Sequence, residues 1–425
     1  MQDLYLSLCR FGSLRVVVEY VPRMADSRIE FLAESPSALF VTGARATGKT
    51  TTARRHASTV LRLDNPDEAA AVRADPDAAL RDLEPPVLLD EWQAVPNVLG
   101  AVKRAVDTER VPGRFILSGS VRSAQDPSLW PGTGRLLPVS VHPMTEREQR
   151  GTLGPEFLEL LRTGTGIEPA QDPPDLRGYM ELALKGGFPE AVLEQGTERR
   201  GAWLDGYLNQ MLNRDPSTLG ASPDSVRLGR FFEAYALNTA GLATDNTLNN
   251  AAGINHRTGT AYRQLLSDLG IIAELPSWHS NRLARLVKGR KRLVTDTGLW
   301  AAAVGVDIAT VMSNGDLLGR LLETFVINQL RAETALMTRG PHLNHLRMAD
   351  NRREVDLIAD YGARGIVAIE IKASNAPNTS DARHLEWLRN QLGPRFAAGA
   401  VLHTGRNKYH LTDQIEAIPI NALWS

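Results

Sequence analysis

A short stretch near the start of the chain carries the residue types that bind phosphate groups. It follows the strand-like run Ala38–Thr42 and leads into the helix-compatible run Thr50–Leu61. The stretch consists of Gly43, Ala44, Arg45, Ala46, Thr47, Gly48, Lys49 and Thr50. Glycines let a backbone wrap a phosphate at a helix N-terminus, where free N–H groups favour negative charge. The pattern and its strand–helix context therefore predict a P-loop rather than a chance glycine-rich turn.

Three side chains of this loop have expected roles in binding ATP and magnesium. Lys49 is expected to reach the β- and γ-phosphates, and the Thr50 hydroxyl is expected to hold Mg²⁺. Thr51 offers a second hydroxyl to the nucleotide, although a residue of the first helical turn is the simpler interpretation.

Two acidic residues at the end of a second buried run complete the expected ATP site. Val87–Leu89 is strand-like and is followed by Asp90 and Glu91. Downstream of a P-loop, such a pair predicts a metal-binding carboxylate, Asp90, and a catalytic carboxylate, Glu91, that orients the attacking water. A third run, Phe115–Leu117, ends in Ser118–Ser120. A hydroxyl there would sense the γ-phosphate, or the three residues simply form a turn.

Phosphoryl transfer usually needs one more cation near the γ-phosphate. Arg122 and Arg135 are the nearest candidates along the chain. Arg135 follows Gly132–Gly134, a loop that a homo-oligomer would offer to the neighbouring subunit. Each arginine is alternatively a solvated surface residue.

A second group of candidate catalytic residues is spread over the C-terminal third of the chain. Glu323 lies on a helix-like segment, Asp356 on a strand-like run, and Glu370 and Lys372 on the next one. The segments are Leu317–Ala335, Glu354–Ala359 and Ile366–Ile371, with the turn Asp360–Gly362 between the last two. Because side chains alternate across a strand, Glu370 and Lys372 share a face, and a hairpin brings Asp356 beside them.

Carboxylates and a lysine at one point suggest metal-dependent cleavage of a phosphodiester. Asp356 and Glu370 would hold a second divalent metal, with Lys372 orienting the nucleophile and Glu323 completing the catalytic group. The alternative is a Glu–Lys pair on the wet face of a half-exposed strand, because short Glu-x-Lys matches are common.

The middle of the chain combines two short helices with a basic segment. Leu248–Gly253 and Thr258–Leu269 are helix-like, and Ile271–Leu275 is strand-like. Six basic residues follow without an acid between them: Arg282, Arg285, Lys288, Arg290, Lys291 and Arg292. The order helix, turn, helix, strand, basic loop, strand is that of a winged helix. Its cations would contact DNA phosphates, or the unit serves as a scaffold or docking module.

The composition excludes several classes of protein. A formal net charge of -1 over 425 residues excludes a wholly basic nucleic-acid coat protein, but not a local basic patch. Cys9 is the only cysteine, which excludes an internal disulfide and suits a reducing compartment. No apolar run approaches the length that spans a bilayer, and Met1–Arg10 lacks the pattern of a secretory signal. We therefore expect a cytoplasmic protein with no membrane partner.

Five short motifs occur in an order that resembles a known family. They are Tyr20–Arg23, Leu89–Gln93, Ile116–Ser120, Gly186–Glu190 and Asp296–Leu299. The succession is similar to that of bacterial and archaeal AAA+ ATPases with a C-terminal domain of unknown function. The resemblance runs from about residue 20 to the end and leaves residues 1–19 as an unmatched extension. It implies a winged-helix middle and a C-terminal domain with a PD-(D/E)xK nuclease fold.

The motifs and the resemblance together predict an α/β protein of several domains. The expected parts are an extension (1–19), an AAA+ P-loop sheet with helices on both faces (20–150), a linker and helical region (151–220), a helical winged-helix domain (221–300) and a PD-(D/E)xK-like α/β domain (301–425). One hypothesis is an ATPase that acts on DNA, including metal-dependent cleavage. The alternative is an ATP-dependent switch for a protein partner, of the defence or toxin–antitoxin type, whose nuclease-like domain only binds.

Overall fold

The N-terminal domain alternates strands with helices. The computed structural model describes residues 19–119, 134–193, 196–213, 224–279, 289–348 and 353–425. The strands of the N-terminal domain are β1 (Ala38–Thr42), β2 (Thr59–Arg62), β3 (Val87–Asp90), β4 (Phe115–Ser118) and β5 (Leu136–Ser140). Its helices are α1 (Met24–Ala33), α2 (Lys49–Arg55), α3 (Pro66–Ala74), α4 (Pro76–Arg81), α5 (Val98–Thr108) and α6 (Glu146–Arg150).

The five strands form one parallel sheet in the order β2-β3-β4-β1-β5. Every residue of β1, β3 and β4 is buried, because helices cover both faces of the sheet. The predicted parallel sheet is therefore confirmed. Parallel strands end at a common edge, and the register places Ser118 opposite both Val41 and Asp90.

One element of this domain was predicted wrongly. The helix after the P-loop ends at Arg55 instead of running to Leu61, and Thr59–Arg62 forms the edge strand β2. Each residue of β2 pairs with β3, so a partner distant in sequence decides its conformation. The β-branched pair Thr59-Val60 suits a strand.

The middle of the chain is mainly helical. Its helices are α7 (Phe157–Thr163), α8 (Leu176–Lys185), α9 (Pro189–Leu193), α10 (Thr197–Asn213), α11 (Ser225–Leu237), α12 (Asp245–Ala252), α13 (His256–Asp268), α14 (Thr297–Val304) and α15 (Ile308–Ser313). Two strands, β6 (Ile272–Leu275) and β7 (Lys291–Val294), pair antiparallel. The order α12, α13, β6, β7 matches the predicted succession of helix, turn, helix and two strands.

The composition of the Pro- and Gly-rich segment Gly151–Gly178 predicts a loop or linker, but the segment contains the helix α7. Phe157, Leu158 and Leu161 of α7 are buried in the same apolar core as strands of the C-terminal sheet. A short helix such as α7 is stabilised mainly by tertiary packing, and here the C-terminal sheet covers its apolar face. Local sequence alone therefore does not reveal it.

The C-terminal part contains a long helix and a mixed six-stranded sheet. Its helices are α16 (Gly315–Leu336) and α17 (Arg383–Leu392). Its strands are β8 (His342–Arg347), β9 (Glu354–Asp360), β10 (Ile366–Lys372), β11 (Phe396–His403), β12 (Tyr409–Thr412) and β13 (Ile415–Pro419), in the sheet order β12-β13-β11-β10-β9-β8. The strands β8, β9 and β10 are antiparallel, and α17 connects β10 to the parallel strand β11. No helix in the described ranges is long and apolar enough to cross a membrane.

Candidate functional site

The loop between β1 and α2 has the shape of a phosphate cradle. A Cβ atom at Gly43 would lie 2.1 Å from the carbonyl oxygen of Val141, so no other residue fits there. Gly48, the residue before α2, has a φ of 90°, which only glycine adopts readily. The backbone N–H groups at the start of α2 are left for an anion because their usual helical partners are missing.

Lys49 lies over this loop. Its Nζ donates to the Ala44 carbonyl oxygen at 2.7 Å, and the Thr47 hydroxyl donates to the same oxygen at 2.8 Å. Burial lowers the pKa of Lys49 to about 8, although the nearby charges of Glu91 and Asp90 oppose that shift. An ammonium group held among loop carbonyls and two carboxylates is placed to bind the phosphates of a nucleotide.

Oxygen ligands for a magnesium ion meet at the carboxyl edge of the sheet. The Thr50 hydroxyl donates to Asp90 Oδ1 at 2.9 Å, and the Ser118 hydroxyl donates to the same oxygen. A hydroxyl and a carboxylate in contact suit the hard cation Mg²⁺. The Ser118 hydroxyl thus contacts Asp90, and whether a hydroxyl of Ser118–Ser120 senses the γ-phosphate stays a prediction; Ser120 lies outside the described residues.

Glu91 follows directly after β3 in an unusual backbone conformation. Its φ is 49°, in the left-handed region that few residues other than glycine occupy. Burial raises the pKa of Glu91, the charge of Asp90 raises it further, and Lys49 opposes both. The Gln93 amide donates to its Oε2 atom. A strained backbone conformation persists only where the surrounding structure holds it in place, and both such strain and shifted carboxyl pKa values are typical of catalytic sites.

Arg23 is a residue of this site to which sequence reasoning assigned no role. Its Nη1 donates to the Thr47 carbonyl oxygen at 2.8 Å, and its Nη2 to the His142 carbonyl oxygen at 2.7 Å. Its Nε contacts Glu148 at 3.0 Å, and the side chain is buried. Arg23 therefore clamps the P-loop to the end of β5 and to α6. The motif Tyr20–Arg23 carried the only signal that could have identified it.

We expect Arg23→Met to weaken ATP binding about tenfold and to lower the melting temperature. The change removes three charged hydrogen bonds, each contributing about 1.5–3 kcal/mol, and leaves Glu148 buried without its cation. ATP titration and thermal melting test this. The matched control is Arg28→Met, which removes an exposed arginine of α1 that bonds to the Thr338 hydroxyl. An unchanged ATP affinity in Arg23→Met would show that the clamp does not shape the loop.

Arg135 lies at the edge of the sheet opposite the P-loop. It precedes β5, whose first residue Leu136 pairs with Ala38, whereas the P-loop follows Thr42 at the far end of β1. The strand between them spans ~16 Å. Arg135 also contacts Asp107 through Nε at 2.9 Å. Within one chain it therefore cannot serve the γ-phosphate. A role toward a neighbouring subunit stays a prediction, and Arg122 lies outside the described residues.

Elements of the middle region contact the tip of the P-loop. The Tyr207 hydroxyl on α10 donates to the Arg45 carbonyl oxygen at 3.3 Å. Gly270, after α13, approaches the loop so closely that a Cβ atom there would lie 3.2 Å from Ala44. A change in the P-loop on nucleotide binding would therefore act directly on α10 and α13.

The motifs Gly186–Glu190 and Asp296–Leu299 meet at the joint between the N-terminal domain and the middle region. The Asp296 carboxylate accepts from the backbone N–H of Gly187 at 2.7 Å and of Leu299 at 2.8 Å. The Gly187 carbonyl accepts from the backbone N–H of Met144 at 2.6 Å. Burial raises the pKa of Asp296 to about 6. These motifs therefore connect the parts of the chain, and Pro189 of the first motif lies beside the P-loop, 3.6 Å from where a Cβ atom at Gly48 would be.

The C-terminal candidates come together on one face of the second sheet. Ile369 pairs with Leu357, so the next pair along the hairpin is Asp356 and Glu370. Asp356 Oδ2 accepts from the backbone N–H of Ile371 at 2.9 Å, and Lys372 Nζ donates to Glu370 Oε2 at 2.8 Å. Burial raises the pKa of the Glu370 carboxyl, and the charge of Asp356 adds to the shift. The hairpin therefore brings Asp356, Glu370 and Lys372 near one another, and a shared metal site there stays a prediction.

Lys291, one of the basic residues considered for DNA contact, links Glu323 to this cluster. Lys291 Nζ contacts Glu323 Oε1 and lies 3.7 Å from Asp356 Oδ1. Within the described ranges, no group of three or more His, Cys, Asp or Glu side chains is arranged to hold a metal ion. The residues as placed therefore do not fit the predicted second divalent metal, because a lysine lies where a metal would bridge the carboxylates.

The described part of the basic segment, Arg290–Arg292, does not present a row of free cations. Arg290 contacts Glu274 at 3.2 Å, Lys291 is 0% exposed, and Arg292 is buried against Asp245. The prediction that Lys291 and Arg292 contact DNA phosphates is wrong, because acids distant in sequence neutralise them. The other three basic residues of the segment lie outside the described residues; they are Arg282, Arg285 and Lys288.

Comparison with known proteins agrees with the N-terminal site. Residues 35–149 match the family model described as an AAA domain. Residues 176–309 and 318–423 match two models described as domains of unknown function, DUF8612 and DUF4143. The chain therefore contains an AAA-like P-loop ATPase domain, followed by two further domains.

The relatives that match nearly the whole chain come from mycobacteria. Two uncharacterized proteins, of Mycobacterium tuberculosis and of Mycobacterium bovis, are each 25% identical over 409 residues, which is 94% of this chain and 84% of theirs. A solved Walker-type ATPase of Pyrococcus abyssi is 15% identical with a TM-score of 0.41, covering 66% of this chain and 94% of that one.

Proposed function

We propose that the chain binds ATP with Mg²⁺, hydrolyses it at the P-loop, and transmits the nucleotide state to its middle and C-terminal domains. The observation that carries the proposal is the convergence of Lys49, Thr50, Asp90 and Glu91 at one edge of the parallel sheet. Their contacts and burial are those of a site for a charged substrate, and a matching AAA domain model covers all four residues.

Each residue has a distinct role in this proposal. Lys49 neutralises the β- and γ-phosphates, and Thr50 and Asp90 would hold the magnesium ion, whose chemical contribution is to offset phosphate charge. Glu91 orients the attacking water and accepts its proton. The raised pKa of Glu91 brings its basicity closer to that needed for this transfer at neutral pH.

The contacts of Tyr207 and Gly270 with the P-loop support the coupling. Filling the loop with phosphates draws Lys49 away from the carbonyl oxygen of Ala44, a residue whose N, Cα and Cβ atoms lie against Gly270. Because α10 and α13 belong to the same apolar core as the C-terminal sheet, a shift of these helices would be passed to that sheet.

Measurement of phosphate release with and without Mg²⁺ tests this function. We expect ATP hydrolysis that stops when EDTA removes the metal. Hydrogen exchange in α10 and α13 should change when a non-hydrolysable ATP analogue is added. A chain that neither binds nor hydrolyses ATP would refute the proposal, and hydrolysis without altered exchange would refute only the coupling.

A second candidate function is ATP-controlled action on DNA, including cleavage. Two observations favour it: Asp356, Glu370 and Lys372 converge, and the order α16, β8, β9, β10, α17, β11 is that expected of a PD-(D/E)xK domain. The order α12, α13, β6, β7 likewise suits a winged helix. The neutralised cations of β7 argue against DNA contact there.

A nuclease assay separates this candidate from a switch that only binds a partner. Cleavage would require Mg²⁺ or Mn²⁺ and would be abolished by Asp356→Ala while ATP binding at Lys49 persisted. Intact DNA and RNA under all conditions, with and without ATP, would favour the switch.

A further inference from the structure

The carboxylate cluster of the C-terminal domain contains a buried cation from another part of the chain. Lys291 is the first residue of β7, which pairs with β6 of the middle region. Its Nζ contacts the Glu323 carboxylate, lies 3.4 Å from the Asp356 carbonyl oxygen and 3.7 Å from Asp356 Oδ1. The Lys291 side chain is 0% exposed, whereas those of Glu323 and Asp356 are 17% and 13% exposed, so it is the ammonium group that is shielded from water.

The negative charges of the cluster explain why Lys291 contacts Glu323 and Asp356. Asp356 lies near both Glu323 and Glu370, and carboxylates this close repel each other unless a cation or a proton intervenes. Lys372 pairs with Glu370 and is partly open to solvent, which leaves Lys291 as the counter-ion between Glu323 and Asp356. Burial alone would lower the pKa of Lys291, but the two carboxylates raise it above its ordinary value.

One carboxylate oxygen of the cluster is not satisfied. Glu370 is 3% exposed, and its Oε1 accepts no hydrogen bond; the ring nitrogen Nδ1 of His384 lies 3.7 Å from it. A buried carboxylate oxygen without a donor is costly. The cluster therefore has capacity for a further cation on the side of Glu370, beyond what the two lysines provide.

We propose that Lys291 is a built-in cation that takes the place of a divalent metal in this cluster, so that the cluster as folded does not bind one. An ammonium group and a divalent ion cannot both lie between Glu323 and Asp356, because they would share the same oxygens and repel each other. The contact thus joins the middle region to the C-terminal sheet. This inference concerns the C-terminal cluster and does not depend on the ATPase proposal.

Replacing Lys291 tests the inference in the full-length, nucleotide-free protein. Lys291→Met removes the ammonium but keeps most of the aliphatic chain. We expect its affinity for Mn²⁺, measured by titration calorimetry, to exceed that of the wild type by about tenfold or more, because two carboxylates lose their cation. Adding Asp356→Asn to this variant should remove the gain. The matched control is Arg290→Met, which deletes the neighbouring, 60% exposed arginine and should leave Mn²⁺ affinity unchanged.

The outcome remains decisive if Lys291→Met fails to fold. Lys291→Met with Glu323→Gln removes one positive and one negative charge together, so it should fold. Because Asp356 and Glu370 remain without the ammonium group, its Mn²⁺ affinity should lie between those of the wild type and Lys291→Met. Equal Mn²⁺ affinity in the wild type and the folded variants would overturn the inference. Failure of both variants to fold would overturn it as well, because Lys291 would then be an indispensable structural ion. ATP affinity, measured on the same samples, reports separately on the P-loop.

Discussion

Lys49→Ala is expected to abolish ATP binding and to lower ATP hydrolysis by at least about 10²-fold. Lys49 is buried, and its ammonium contacts the loop carbonyl of Ala44 at 2.7 Å, so no water can replace its charge there. The β- and γ-phosphates would then lose the protein cation that neutralises them and would be left near the carboxylate of Glu91. Titration with a fluorescent ATP analogue and an assay of phosphate release measure the two effects.

A lysine of the same domain provides the control for this substitution. Lys103 lies on α5, away from the P-loop, and Lys103→Ala should leave ATP binding unchanged. Circular dichroism should show that Lys49→Ala retains the wild-type fold, since the lost group contacts one carbonyl. Wild-type ATP affinity in Lys49→Ala would mean that the nucleotide binds elsewhere.

Glu91→Gln is expected to keep ATP affinity within about twofold and to lower turnover by about 10²- to 10⁴-fold. Glutamine has the same shape, so the contact with Gln93 and the left-handed backbone at this position are retained. It cannot accept a proton from water, and only that step is lost. Single-turnover measurement of phosphate release, beside equilibrium ATP binding, separates the two quantities.

An exposed glutamate offers the matched control for the catalytic assignment. Glu109→Gln alters a carboxylate at the end of α5 that pairs with Arg114 at 2.7 Å, and it should hydrolyse ATP at the wild-type rate. Unchanged turnover in Glu91→Gln would move the catalytic base to another residue. A loss of ATP binding instead would show that Glu91 supports the loop rather than the chemistry.

The ATP site was predictable because its information is local. Gly43–Thr50 is a continuous stretch, and the buried strands before it and before Asp90 show as apolar runs in the sequence. In a parallel sheet such runs end at the same edge, so the meeting of Thr50 and Asp90 follows from strand direction. Alternation along a hairpin likewise predicted that Asp356 and Glu370 share a face.

Edge and surface elements were less predictable because they depend on partners. The strand β2 has only four residues and is defined by its pairing with β3, so its sequence was taken as the end of a helix. The helix α7 lies in a Pro- and Gly-rich segment and is ordered by the C-terminal sheet that covers its apolar face.

The sequence by itself determined the P-loop, its carboxylate partners and the buried strands β1, β3 and β4 that position them, since these depend on spacing and on short apolar runs. The tertiary structure decided which charges meet. Arg23 reaches Thr47 and Glu148, and Lys291 reaches Glu323 and Asp356, across 24 to 125 residues of chain. A run of basic residues is neutralised by acids that only folding brings near, because electrostatic pairing depends on distance in space and on burial, neither of which sequence spacing records.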